Sequence, residues 1–483
     1  MWVDTLFNIL TYLVALNVLI SIITVFREPR DIAATWAWLL LLIFLPGVGL
    51  VLYFFFGRRL PKSRLNRMAL QDLIGLEEWV DTQKELFNDD LLTSYFNGNP
   101  YQQDLATIFL NNDESILTTN NSLRLIVDGQ EKFESLMKDI IAAKDHIHML
   151  YYIFRDDELG KKIIDLLAQK ASLGVEVIVL YDALGSNRTH RDAFKAIEKN
   201  GGFAKPFFGS AYSFFNFRIN FRNHRKIVVI DGKIGYFGGY NIGDEYIGKG
   251  KLGYWRDTHV RLTGNAVLNL QSRFFMDWNA VAIESEQLRP SDRYFPKNNE
   301  SGKTAMQIVT SGPDSEQQIK LGMKKMISTA RRYIFIQTPY FIPDESMFES
   351  LQLALQSGID VRLMIPCKPD HVLVYRATEY YAKLLEKLGA RVYTYQDGFL
   401  HSKSMVVDGQ MCTIGTANFD VRSFRLNFEI NAFIYDHRVA REMAAHFIED
   451  CRKCHIADAE YFNRQSKWKK FKQAFSRLFS PIL

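Results

Sequence analysis

One pattern is written twice in this chain. His224-x-Lys226-x4-Asp231-Gly232, followed by Gly238 and Asn241, returns as His401-x-Lys403-x4-Asp408-Gly409, followed by Gly415 and Asn418, with each matched pair 177 positions apart. A histidine held in a core for packing alone would have to recur with five companions at a single offset, so the chain reads as a duplicated unit.

In each copy the histidine and lysine lead into an apolar run, Ile227-Val228-Val229-Ile230 or Met405-Val406-Val407. Such a run predicts a β-strand, on which residues i and i+2 share a face, so His224 points with Lys226 and His401 with Lys403. Asp231-Gly232 and Asp408-Gly409 are hairpin-turn pairs, which assigns the two aspartates more to the turn than to the reactive face. An imidazole beside an ammonium, in duplicate, suits attack on a phosphodiester. One neutral histidine attacks phosphorus and becomes a phosphohistidine while its protonated partner supplies the proton to the departing alcohol, and the roles reverse in a second step. Lys226, Lys403, Asn241 and Asn418 would hold the non-bridging oxygens and offset transition-state charge, so neither a metal nor another cofactor is expected.

This arrangement resembles the phospholipase D superfamily, whose signature is a duplicated HxK(x)4D motif with a following glycine-rich stretch and asparagine. The upstream segments Lys144–Phe154 and Arg331–Phe341 repeat as well, as do Gly174–Leu180 and Gly358–Met364. The resemblance implies an α/β fold of two similar phospholipase D-like lobes, packed face to face around one shared active site. It further implies a catalytic set of His224, Lys226, Asp231, His401, Lys403 and Asp408. Asp257 and Glu429 are the matching candidates for the acidic residues that orient the histidines, in the same lobe or across lobes. By the same resemblance His224 is the nucleophile and His401 the general acid.

The expected organisation is a transmembrane hairpin anchor at 1–60, a helical connector at 61–112, a first lobe at 113–288, a linker at 289–305, a second lobe at 306–460 and a basic amphipathic tail at 461–483. The anchor rests on two apolar stretches, Leu6 to Phe26 and Ile32 to Phe56. Each is long enough for a hydrocarbon core of ~30 Å, which takes about 20 helical residues. The first lacks the basic start and the small-residue cleavage site of a signal peptide. Pro46, Gly47 and Gly49 should break the second. Arg58, Arg59, Lys62, Arg64 and Arg67 outnumber Arg27 and Arg30 in the connecting loop, which predicts that the lobes face the cytoplasm.

A net charge of +5 over 483 residues identifies no partner by itself. Its distribution says more. From Ser466 to Phe479, aromatic residues at helical spacing are set among Lys467, Lys469, Lys470, Lys472 and Arg477 with no acidic residue, which predicts a helix lying on anionic lipid. Tyr212–Arg222 interleaves aromatics and arginines and is read either as a lipid contact or as an aromatic loop packed between the lobes, ahead of a nucleic-acid platform. Cys451-x-x-Cys454-His455 has the form of a haem-attachment motif, a reading set aside because such attachment occurs outside the cytoplasm. His146 and His148 are read as structural, since their counterparts in the second copy are Tyr333 and Phe335.

Over nearly its whole length the chain is similar to the bacterial cardiolipin synthase family within that superfamily. The similarity implies phosphatidyl transfer between two phosphatidylglycerol molecules to give cardiolipin and glycerol, in an anionic bilayer of the cell membrane and without nucleic acid. The alternative is an anchored phospholipase D that hydrolyses phospholipid to phosphatidic acid. Oligomeric state is left open.

Overall fold

In a computed structural model of the chain, the described residues are 32–45, 47–53, 82–86, 96, 99–113, 115–209, 220–297, 302–313, 315, 317–481 and 483, with isolated positions between 2 and 23. They fall into two units, one of residues 1–62 and 210–221 and one of residues 63–209 and 222–483.

The larger unit is α/β. Its first lobe supplies β1 (Thr118–Ile126), β2 (His146–Tyr151), β3 (Glu176–Asp182), β4 (Phe203–Phe207), β5 (Arg222–Asn223), β6 (Ile227–Ile230), β7 (Ile234–Gly238), β8 (Trp255–Arg256) and β9 (His259–Thr263). Its second lobe supplies β10 (Thr304–Ser311), β11 (Tyr333–Gln337), β12 (Phe341–Ile342), β13 (Asp360–Pro366), β14 (Arg391–Tyr395), β15 (Phe399–Leu400), β16 (Ser404–Val407), β17 (Met411–Gly415), β18 (Phe419–Asp420), β19 (Asn427–Ile434) and β20 (Cys454–Ile456). Outward from the β1·β10 pair, the order β9-β7-β6-β2-β3-β4 on one side matches β19-β17-β16-β11-β13-β14 on the other.

The expectation of lobes packed face to face is corrected here, because they join edge to edge. β1 and β10 pair antiparallel, with Thr118 opposite Met306 and Asn121 opposite Thr304, so one sheet of 16 strands runs through both lobes. An edge strand left open presents a row of unpaired N–H and C=O groups, and here each lobe's edge closes the other's. The Asn121 amide donates to the Thr304 carbonyl at 3.0 Å and bridges the irregularity in that register.

β6 is apolar and buried at all four positions, as a strand covered on both faces must be. Helices Gly129–Ala142 and Glu158–Ser172 pack one face of the first lobe, and helix Ala266–Asn279 packs the other, where His148 stacks on Phe274 at 4.7 Å. In the second lobe helices Gln318–Thr329 and Glu345–Gln356 take the first position and His437–Cys451 the second, with Phe335 stacked on Phe447 at 4.6 Å. Helix Pro100–Asp113, at the end of the expected connector, sits in the core of the second lobe through Leu105, Ala106 and Phe109. His146 and His148 take structural contacts: His146 bonds Asp145 at 2.7 Å, and His148 lies between Glu176 and Gln271. Cys454 and His455 belong to β20, paired with β14.

Both signature hairpins turn through two consecutive residues at positive φ, Asp231 (53°) with Gly232 (62°) and Asp408 (55°) with Gly409 (63°). Lys233 N–H donates to the Ile230 carbonyl at 3.0 Å and Gln410 N–H to Val407 at 3.0 Å, which closes a tight I′-type turn in each copy. Aspartate tolerates the left-handed region, and its carboxylate compensates by capping a neighbouring strand. Asp231 accepts from the backbone N–H groups of Lys144 (2.9 Å), Asp145 (2.8 Å) and His146 (3.1 Å). Asp408 accepts from Arg331 (2.7 Å), Arg332 (2.8 Å) and Tyr333 (2.8 Å).

In the smaller unit, helix Ile32–Phe44 stops at a break where Gly47 takes φ 88°, and helix Val48–Leu52 follows. Tyr53 packs edge-on against Trp38 at 5.1 Å, while Ile32, Trp36, Phe44 and Val48 are exposed. Among the described residues no helix is long and apolar enough to cross a membrane. Most of the stretch from Leu6 to Phe26, the basic run from Arg58 to Arg67 and the aromatic residues Tyr212–Ile219 lie outside the described residues.

Replacing Asp231 with alanine removes three charge-assisted caps and leaves a less tolerant residue at positive φ. The expected result is a loss of about 2–3 kcal/mol of stability in chemical denaturation, with residual turnover per folded molecule far above that of a His224→Ala variant.

Candidate active site

Each signature histidine is carried on a two-residue strand that pairs with the opposite lobe. β5 runs parallel to the start of β19 and β15 runs parallel to β8, with Asn223 opposite Phe428 and Leu400 opposite Arg256. The ribbons extend into the histidines themselves, for His224 N–H donates to the Phe428 carbonyl at 2.9 Å and His401 N–H to Arg256 at 2.7 Å. One residue further along each partner strand stand Glu429 and Asp257. His224 Nδ1 lies 3.0 and 2.9 Å from the two Glu429 carboxylate oxygens, and His401 Nδ1 lies 2.5 Å from Asp257. Both carboxylates are fully buried.

The carboxylates therefore serve the histidine of the other lobe. A carboxylate at Nδ1 holds the proton there, which leaves Nε2 as the free ring nitrogen in both imidazoles. Gly239 makes room for one of these pairs, since a Cβ there would stand 2.0 Å from an Asp257 oxygen. Gly415 allows β17 to approach β19, where a Cβ would meet the Ile430 carbonyl at 2.2 Å.

Lys226 and Lys403 share their histidines' faces and fold back on them. Lys226 Nζ donates to the His224 carbonyl at 2.6 Å, and Lys403 Nζ donates likewise to the His401 carbonyl. The two copies also feel each other. Burial pushes His224 down to about 4, Glu429 opposes this, and the charges of Lys226 and Lys403 add to it. Burial lowers His401 to about 4 as well, with Lys403 and Lys226 contributing and Asp257 opposing. Lys226 falls to about 7 and Lys403 to about 8, in each case chiefly from burial. Burial pushes Glu429 upward, yet His224 and Lys226 hold its carboxyl below the usual range. Burial of this kind favours neutral imidazoles and reluctant ammoniums, and an anion entering between them raises all four.

The remaining expected site residues divide. Asp231 and Asp408 are at the far ends of the signature strands, capping backbone as described above, and do not join the imidazoles. Asn241 is buried and engaged, its Oδ1 accepting from Ile153 N–H at 3.0 Å and its Nδ2 donating to the Tyr246 hydroxyl at 3.0 Å. Asn418 differs, because its buried side-chain oxygen has no hydrogen-bond partner among the described residues. No group of three or more metal-ligating side chains occurs among the described residues.

Several neighbours escaped the sequence reading. Tyr152 meets the His224 ring edge-on at 4.8 Å, and Lys226 Nζ lies 5.3 Å from its centroid. Trp255 takes a similar position on His401 at 5.3 Å. Arg225, on the reverse face of the signature strand, binds Asp277 at 2.9 Å with NH1 and reaches the Glu429 carbonyl at 3.2 Å. Strand alternation would have placed Arg225 opposite His224. Tyr152 was hidden because its counterpart in the repeat is Pro339.

A model of the cardiolipin synthase phospholipase D-like domain matches residues 136–250 and 323–451, and a model of the phospholipase D-nuclease N-terminal segment matches residues 15–58. The chain is 49% identical over 477 residues to a cardiolipin synthase of Listeria innocua, covering 98% of this chain and 99% of that one. It is 49% identical to the major cardiolipin synthase of Bacillus subtilis, covering 97% of each chain. The chain belongs to the cardiolipin synthase family of the phospholipase D superfamily. A phosphatidylserine synthase of Haemophilus influenzae shares the fold, with a TM-score of 0.59 at 16% identity over 79% of this chain and 100% of that one.

Glu429→Gln keeps the shape of the His224 partner but removes its charge. Turnover is expected to fall by roughly 10²–10⁴-fold, in line with loss of the carboxylate in histidine-based triads, while the melting temperature moves little. A fall of less than tenfold would remove Glu429 from the machinery.

Proposed function

We propose that this chain transfers a phosphatidyl group from one phosphatidylglycerol to the hydroxyl of a second, giving cardiolipin and glycerol. The observation that carries the chemistry is the pair of imidazoles with Nδ1 held by buried carboxylates, each supplied by the other lobe. In the first step His224 Nε2 attacks phosphorus. The Nε2–P bond forms, the P–O bond to glycerol breaks, and His401 donates its proton to the departing oxygen. In the second step His401 takes a proton from the incoming hydroxyl, which attacks phosphorus and breaks the Nε2–P bond.

His401 must be protonated in the first step although burial lowers it to about 4. The phosphodiester supplies the remedy, since its negative charge between two lysines and two imidazoles favours uptake of a proton. Lys226 and Lys403 then neutralise the equatorial oxygens as charge develops. Asn418, whose side-chain oxygen is an unpartnered acceptor among the described residues, suits a contact to a hydroxyl of the substrate, whereas Asn241 holds the loop at Ile153.

Both substrates are bilayer lipids. The exposed apolar residues of the smaller unit and the long apolar stretches before residue 57 support a two-span anchor with the lobes on the cytoplasmic side. A single cysteine placed near Met1, and another in the lobes, should both resist an impermeant reagent added to intact cells. Labelling of either rejects the hairpin.

The reaction itself is tested in vesicles of phosphatidylglycerol carrying labelled phosphorus. The expected products are cardiolipin and free glycerol, with transient label on His224. Phosphatidic acid alone would assign the chain to hydrolysis instead, and label on His401 would exchange the two histidine roles.

A further inference from the structure

The helix Lys467–Arg477 near the end of the chain is docked the wrong way round for a helix that serves its own fold. An amphipathic helix on a globular domain ordinarily turns its apolar stripe to the core and its charges to water. Here the residues turned inward are Gln473 and Ser476, both buried. Lys469 pairs with Glu379 at 2.7 Å, and Arg477 donates to the Tyr380 hydroxyl at 2.6 Å, so the helix is fastened to helix Val372–Lys387 by polar contacts.

Its aromatic residues face outward. Trp468, Phe471, Phe475 and Leu478 are 63%, 57%, 48% and 66% exposed. The rings form a row, with Trp468 stacked on Phe471 at 5.4 Å and Phe475 following at 6.4 Å. Ser466 caps the first turn by accepting from Lys469 N–H at 3.2 Å, so the helix and its outward row are set before any partner arrives.

We propose that this face is a second membrane contact, separate from the N-terminal segments, which lays the ring row among the headgroups of an anionic bilayer. Charge selects that occupant. Lys467, Lys470, Lys472 and Arg477 lie along the helix with no acidic residue from Ser466 to Phe479. Two copies of the chain meeting through this face would set these cations against each other, whereas anionic headgroups complement them. Aromatic rings flanked by lysines suit the interfacial layer, where the rings enter the acyl boundary and the ammoniums remain with phosphate. The proposal goes beyond the phosphoryl chemistry and does not depend on it, because it concerns where the folded lobes rest.

The test uses the full chain reconstituted in vesicles, with a photoreactive phenylalanine analogue in place of Phe471, whose exposure leaves the core untouched. Illumination in phosphatidylcholine vesicles containing phosphatidylglycerol should give a lipid adduct by mass spectrometry. Its yield should fall several-fold in pure phosphatidylcholine, at high salt, or after Lys467→Glu with Lys472→Glu. A crosslink to a second copy of the chain, a yield indifferent to lipid charge, or no adduct at all would each overturn the proposal. Turnover of phosphatidylglycerol, followed in the same vesicles, reads the catalytic assignment separately.

Discussion

The hydrogen bond from each reactive imidazole to a carboxylate of the opposite lobe is the constraint on which the rest of this molecule is organised. Glu429 reaches His224 and Asp257 reaches His401 because β5 and β15 leave their own lobes and pair with β19 and β8. Those ribbons are two residues long, too short to be stable alone. They persist because the continuous sheet holds the lobes in fixed register through β1 and β10. A half of the chain would therefore keep a histidine and a lysine while losing the group that sets the tautomer.

Burial then gives the site its preference for an anion. Two lysines, two histidines and two carboxylates share a space from which water is largely removed, and burial is the leading influence on all four basic groups. Such groups are reluctant cations in isolation and become willing ones only when a negative ligand arrives, so protonation and binding are linked. Arg225 and Asp277 form a buried ion pair behind the signature strand, bonded to the Glu429 carbonyl, so the carboxylate partner of His224 is held from its backbone as well as through its side chain.

Much of this was legible from residue order. The i, i+2 spacing put histidine and lysine on one face, and the Asp-Gly pairs marked both hairpins, including the turn position of the aspartates. Asp257 and Glu429 stood out as candidates, but their exchange between lobes did not, because a two-residue ribbon leaves no periodic trace. Helix Pro100–Asp113 was assigned to a connector since its sequence, with Gln102, Gln103, Asp104, Asn111 and Asn112, carries little apolar signal. Its burial against the second lobe depends on a partner more than two hundred residues away in Gln307. The edge-to-edge joining of the lobes was equally invisible, because β1 and β10 read like any other strand until their neighbours are known.

The replacement of Tyr152 by Pro339 at the matching place in the second lobe has a consequence for how the site came to work. Two identical chains meeting about a twofold axis would present two interchangeable imidazoles, and every turnover would begin with an arbitrary choice between them. Joining the copies into one polypeptide frees each to drift on its own. A phenol edge-on to His224, where His401 meets the indole of Trp255 instead, is the kind of difference that lets a once-degenerate pair divide its labour permanently.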